Sequence, residues 1–279
     1  MTPKGSGGCS LLLAKAANEE QKTRVGNQTG GRVSDRNFLI FARQLKNSAM
    51  KKIGLIGGVS WVSTVDYYRY FNEGVNQQLG GLNYAECIIY SFNYADIKKN
   101  NDANDWDETL RMVAEASGHL KAAGAELIVL GANTMHVIAE PLEEKIQLPV
   151  IHIATATANE ITKHGLKKVA LLGTKFTMEL DFFKSRLAAQ QIEAIIPGPE
   201  DRDFIQDTIY YELGKGILKE ETRQRYLSII DGLIRQGAEG IILGCTEIPL
   251  IIKQDDVRVK VFDTVIIHAA AAVQFALNG

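Results

Sequence analysis

Short apolar bursts alternate with amphipathic stretches along most of the chain. From Lys52 onward, bursts fall at residues 53–56, 86–90, 127–130, 150–153, 169–172, 194–196, 241–243 and 259–262. Between them, residues 65–79 have helical spacing, and residues 109–123 carry one apolar face of Leu110, Val113, Ala114 and Leu120. Continuous apolar strands separated by helices predict parallel strands covered on both faces, hence an α/β fold. In open sheets of this kind, sites form beyond the carboxyl ends of the strands. Chemistry is therefore expected in the residues just after each burst.

The chain also repeats itself. Residues 51–57 correspond to 167–173, residues 124–134 to 237–247, and residues 148–152 to 259–263, at offsets of 116, 113 and 111. Each copy of the first block is followed by a polar loop and a helix start, at 65–68 and at 180–183. Three blocks in order predict a duplication: two pseudo-symmetric lobes, each a mainly parallel sheet flanked by helices, with the active site in the cleft between them. The expected division is 51–148 plus 264–279 for the first lobe and 149–263 for the second. Ala132 and Cys245 then occupy equivalent places on opposite walls.

Composition sets the first 49 residues apart. They hold eight basic and three acidic side chains, a net +5, so the remainder carries −7 of the overall −2. Gly-rich clusters and weak periodicity mark 1–49 as a disordered leader, with Met50 opening the folded part. Over the 279 residues, 46% hydrophobic and 23% charged positions are ordinary for a chain that buries a core. No apolar run is long enough for a membrane span, and the charge gives no reason to expect nucleic acid. Three cysteines without a CxxC pair exclude a disulfide framework, and the expected location is the cytoplasm.

Cys245 follows a strand and a glycine, at an expected loop-to-helix transition. Peptide N–H groups at a helix start would hold its thiolate below the ordinary thiol pKa of about 8.5. The alternative is a small buried hydrophobe, which is also the expectation for Cys87 inside its strand. Asn133, Thr134, Thr174, Thr246 and Ser60 sit on strand-end loops; their hydroxyls and amide suit a small carboxylate, and the alternative for each is a loop or cap residue satisfying local backbone groups. Lys175 is either an anion clamp or a solvated loop lysine. Gly57-Gly58 lacks the full GxGxxG pattern, and Gly173-Thr174-Lys175 lacks P-loop spacing, so nucleotide binding is weakly supported. His136, His152 and His268 share no HxxxH or HxH spacing and read as core histidines, with no metal site expected.

These residues resemble the aspartate/glutamate racemase superfamily, in its broad-spectrum amino-acid branch. The resemblance runs from about Lys52 to Leu277 and rests on the runs 53–61 (IGLIGGVSW), 133–136 (NTMH), 173–179 (GTKFTME), 243–248 (LGCTEI) and 261–264 (VFDT). It implies two pseudo-symmetric lobes, with the C-terminal helix returning to the first. It also implies racemisation of an amino acid at Cα without a cofactor, by a homodimer. Cys245 would then be the acid and base on one face. Asn133, Thr134 and Thr246 would surround the carboxylate, and Glu247 and Asp263 would support the Cys245 loop. Ala132 departs from the pattern, which usually has a cysteine there, and a methyl group carries no proton. The resemblance thus leaves open a one-thiol reaction such as decarboxylation, or a non-catalytic amino-acid binder.

Overall fold

A computed structural model describes residues 50–278; the expected leader lies outside them. The first half builds β1 (Ile53–Gly57), α1 (Trp61–Leu79), β2 (Cys87–Ser91), α2 (Tyr94–Asp102), α3 (Trp106–Ala122), β3 (Leu127–Leu130), α4 (Ala139–Ile146) and β4 (Val150–Ile151). After α5 (Ile153–Lys163) come β5 (Lys168–Gly173), α6 (Lys175–Glu179), α7 (Asp181–Ala188), β6 (Glu193–Ile195), α8 (Pro199–Tyr211), α9 (Glu220–Arg235), β7 (Gly240–Gly244), β8 (Lys260–Asp263) and α10 (Thr264–Asn278). The strands form two parallel four-stranded sheets, ordered β2-β1-β3-β4 and β6-β5-β7-β8. The second order is the first shifted by four strands, so the internal repeat folds as a structural duplication.

Alternating strand residues face opposite layers. In β1, Ile53 and Leu55 pack against α1 and α10, whereas Ile56 packs against α3 and α4. In β5, Val169 and Leu171 meet α5 and α7, whereas Ala170 and Leu172 meet α8 and α9. All these side chains are fully buried, each contributing roughly 1.5–3 kcal/mol of hydrophobic stabilisation for the larger aliphatic ones. α10 lies against both α1 and α5. Its close approach to α1 uses Gly74, where even a Cβ would stand 3.3 Å from Val273.

One detail differs from the sequence reading. β4 pairs with β3 in the first sheet, Ile128 beside Val150 and Val129 beside Ile151, so a lobe boundary after 148 falls one strand too early. The long helix α1 has a two-part counterpart, α6 and α7, divided where Leu180 is extended, with α7 starting at Asp181. Among the described residues, no helix is long and apolar enough to cross a membrane.

Candidate active site

The carboxyl ends of β1, β3, β5 and β7 open on one cleft of about 410 Å³. Ser60, Ala132, Asn133, Thr134, Thr174, Cys245, Thr246 and Glu247 all line it, drawn together from both halves of the chain. Lys175 does not: its ammonium pairs with the Asp203 carboxylate outside the cleft, so it is no anion clamp in this arrangement. The first residue of a helix need not aim where its cap does. Thr174 caps α6, accepting from Thr177 N–H at 3.4 Å, while Lys175 projects toward α8.

On the second-lobe wall, β7 ends at Gly244, and Cys245 is buried against the core of that lobe. Its Sγ–H donates to Glu247 Oε2 at 2.9 Å, and Thr246 Oγ1–H donates to the same oxygen at 2.6 Å. Burial pushes the Cys245 thiol well above its ordinary value, and the Glu247 carboxylate pushes it further. Backbone N–H groups of Glu247 and Thr246 pull the other way without prevailing. The expected thiolate stabilised by a helix start is therefore not found. The segment after Cys245 makes only a three-residue 3₁₀ turn, Ile248–Leu250, which includes Pro249 and supplies no helix N-terminus. Cys245 is both a packed side chain of the second-lobe core and a residue lining the cleft.

On the first-lobe wall, Ala132 packs against the core below β3 and exposes no acid or base. Asn133 Nδ2 donates to Thr264 Oγ1 at 3.1 Å, and the Thr264 hydroxyl donates to the Leu243 carbonyl at 2.9 Å. The Thr264 proton is thus spent on Leu243, which fixes its lone pair as the acceptor and fixes the orientation of the Asn133 amide. This relay ties the loop after β3 to β7, one residue before Gly244. Asn133 lines the cleft, but its Oδ1 is buried without a hydrogen-bond partner. Thr134 and Thr174 hydroxyls meet across the two lobes at 3.3 Å. Asp263, expected to support the Cys245 loop, instead caps α10, accepting from Val265 N–H at 2.9 Å.

The loop after β1 is strained. Ser60 has φ 133° and ψ 132°, a left-handed backbone that costs on the order of 1–3 kcal/mol outside glycine. Hydrogen bonds hold it there: the hydroxyls of Ser63 and Thr64 donate to its carbonyl at 2.9 and 3.0 Å. Its own hydroxyl makes no cap and faces the cleft. Gly58, at φ +80°, passes so close to Phe92 that a Cβ would overlap the Phe92 backbone.

Behind the Ala132 wall, three histidines that share no sequence spacing gather in one buried cluster. His136 lies 5.0 Å from His152 and 5.1 Å from His268, ring to ring. His136 Nδ1–H donates to the carbonyls of Ala132 and Asn133 at 3.1 and 3.2 Å, tethering the loop from below. Burial lowers His136 to about 4, His268 to about 3 and His152 to about 2, so all three are neutral at pH 7. Among the described residues, no group of three His, Cys, Asp or Glu side chains is arranged to hold a metal ion.

Sequence reasoning missed the far end of the cleft. Phe92 and Tyr94 after β2, Asn101 on α2, and Ile209 and Tyr210 on α8 line it. Phe92 and Tyr94 directly follow an apolar burst, and inspecting that burst as closely as the others would have found them. Burial raises both phenols above their ordinary value, so they are hydrogen-bonding hydroxyls rather than bases.

Comparison with known proteins matches this architecture. The sequence profile of the Asp/Glu/Hydantoin racemase family fits residues 56–272. A crystal structure from Yersinia pestis, described as a "putative Asp/Glu Racemase", is 46% identical, with a TM-score of 0.78 over 82% of this chain and 100% of that one. An aspartate racemase homologue from Pyrococcus horikoshii is 38% identical, with a TM-score of 0.72 over 81% of this chain and 99% of that one. The broad specificity amino-acid racemase RacX of Bacillus subtilis is 25% identical over 221 residues, 76% of this chain and 92% of that protein.

Proposed function

We propose, from the premise that the chain belongs to the Asp/Glu/Hydantoin racemase family, that it is an amino-acid racemase working at Cα without a cofactor, with Cys245 as the acid and base on one face. The observation that carries this reading is the thiol itself. It lies on the cleft wall at the end of β7, 2.9 Å from a carboxylate positioned to take its proton. Burial and Glu247 favour the protonated thiol, the form that delivers a proton. A bound substrate brings an α-ammonium, and that positive charge favours the thiolate, the form that removes one. Glu247 accepts the Sγ proton and orients the sulfur.

The substrate carboxylate fits the hydroxyls of Thr134 and Thr174 and the loop N–H groups around them, while the Thr246 hydroxyl stays on Glu247. Donors placed there strengthen as enolate charge develops, which lowers the barrier to breaking the Cα–H bond. Asn133 fixes the loop after β3 through the Thr264 relay. The reading includes a cytoplasmic homodimer, for which sedimentation is the check.

Ala132 makes the two walls unequal. His136 cannot replace a missing partner there, because its Nδ1–H is spent on the loop carbonyls and its Nε2 is buried. A water entering the cleft, relayed by the Ser60 or Thr134 hydroxyl, serves that face. The same asymmetry favours a second reading, decarboxylation followed by one-sided protonation, for which a single thiol suffices. The test is a panel of L- and D-amino acids in heavy water, with Cys245→Ser alongside. Cα deuterium and optical inversion, both lost in the variant, are expected. Carbon dioxide release without inversion would favour the second reading, and exchange undiminished in Cys245→Ser would overturn both.

A further inference from the structure

The buried histidines take no part in the proton transfers described above, yet one of them sets the direction of the cleft wall. His136 Nδ1–H donates to the carbonyls of Ala132 and Asn133, at 3.1 and 3.2 Å, and the Asn133 carbonyl also receives the His136 backbone N–H at 3.0 Å. In a trans peptide the C=O and N–H groups point in opposite directions. Two carbonyls turned back to a fully buried ring therefore turn the N–H groups of Asn133 and Thr134 the other way, toward the cleft that both residues line. Among the described residues, neither N–H meets an acceptor.

The ring itself is held in place. His136 packs edge-on against His268, at an interplanar angle of 70°. His268 accepts from the Tyr67 hydroxyl at 2.7 Å through Nδ1 and donates from Nε2 to the Ile151 carbonyl at 2.5 Å. Tyr67 on α1, Ile151 on β4 and His268 on α10 thus brace the imidazole that aims the loop after β3. The second lobe has no such device. At the offset of 113 that relates Ala132 to Cys245, the place of His136 is taken by Pro249, which offers no N–H of any kind. There the loop is held from the cleft side, by Glu247.

Resting on the racemase reading above, we propose that His136 is a positioning residue, which aims the Asn133 and Thr134 N–H groups at the substrate carboxylate where enolate charge develops. It touches no substrate. Donors aimed in this way act on the transition state more than on binding, so the effect falls on kcat rather than KM. His136→Leu removes the side-chain donor, His136→Asn restores an N–H at the place of Nδ1, and His136→Gln carries its N–H to the place of Nε2. With the amino acid that exchanges fastest, kcat for Cα exchange should fall about tenfold or more in the Leu and Gln variants, with KM changed by less than about threefold. His136→Asn should return kcat to within about threefold of the unmodified chain. An undiminished kcat in the Leu and Gln variants, equal losses in Asn and Gln, or a loss confined to KM would overturn the positioning role. A second readout does not depend on turnover. In the 15N-labelled unmodified chain, L-aspartate or L-alanine should move the Asn133 and Thr134 amide protons downfield, and the shift should shrink in whichever of the Leu and Gln variants folds. No shift, or the same shift in the variants, would overturn the proposal. If none of the three variants folds, the ring serves the core alone and the positioning role fails. Exchange with no amino acid would overturn the racemase reading instead, and the amide shifts then decide the positioning by themselves.

Discussion

Replacing Glu247 by glutamine isolates the electrostatics of the Cys245 thiol. The side chain keeps its shape but loses its charge, and the amide can donate to sulfur where the carboxylate could only accept. The Cys245 thiol should therefore ionise at lower pH in the variant, because a carboxylate raising it has gone. A unit charge 2.9 Å away interacts by roughly 1.4 kcal/mol in a water-like dielectric and roughly 6 kcal/mol at an effective dielectric of 20. At about 1.4 kcal/mol per pH unit, the midpoint should fall by about one to four pH units. Burial remains, so the thiol need not reach the ordinary value. The assay is the pH dependence of iodoacetamide alkylation, read by mass spectrometry on the peptide that contains Cys245, which separates it from Cys87. A midpoint that stays put or rises in Glu247→Gln would refute the proposed coupling. Cα exchange should fall in the same variant, because the group that accepts the Sγ proton is lost.

Thr264→Val removes the link between Asn133 and Leu243 while keeping the buried volume, and leaves the Asn133 amide without its acceptor. A cost of about 1–3 kcal/mol is expected, read as a Tm lower by roughly 2–12 °C, with exchange also reduced; an unchanged Tm would remove the relay from the description of the site. The buried histidines predict acid sensitivity. Their folded pKa values, from about 4 for His136 down to about 2 for His152, lie below the unfolded value of about 6.5, so the unfolded chain takes up protons first. Stability is full above pH 6.5 and should fall as pH drops from 6.5 toward 4, by roughly 2 kcal/mol per histidine at pH 5; thermal melts at pH 7.5, 6.5, 5.5 and 5.0 test this, and a flat Tm would contradict it. Cys87→Ala should leave exchange rates nearly unchanged, since that thiol sits on β2, away from the cleft; a large loss would reassign the chemistry.

Much of the architecture was written in the apolar bursts, because strands buried on both faces leave no polar positions to blur the pattern. The repeat was legible for the same reason, and it placed Ala132 and Cys245 after equivalent strands. Other features depend on directions that a sequence does not encode. Lys175 follows Thr174 in the chain, but its side chain points to Asp203 rather than into the cleft. The environment of Cys245 was misread because a strand end followed by a helix was assumed, whereas Ile248–Leu250 closes as one short turn. The three histidines are 16 and 116 residues apart in sequence and meet only because β4 and α10 pack beside the loop after β3. The aromatic end of the cleft combines the β2–α2 loop with α8, a pairing that no local motif announces.

A cleft with one working thiol wall is tested most directly by comparing the two enantiomers of one substrate. Initial Cα exchange rates of the L and D forms of each amino acid in the panel would be followed in heavy water by proton NMR, for the unmodified chain and for Ala132→Cys. Ala132 follows its strand as Cys245 follows its own, and cysteine adds little volume, so the variant should fold. The unmodified chain should exchange one enantiomer faster than the other, and Ala132→Cys should raise racemisation and bring the two rates together. Equal rates in the unmodified chain, or no gain in a folded variant whose new thiol is shown to titrate, would contradict a substrate held between those two walls.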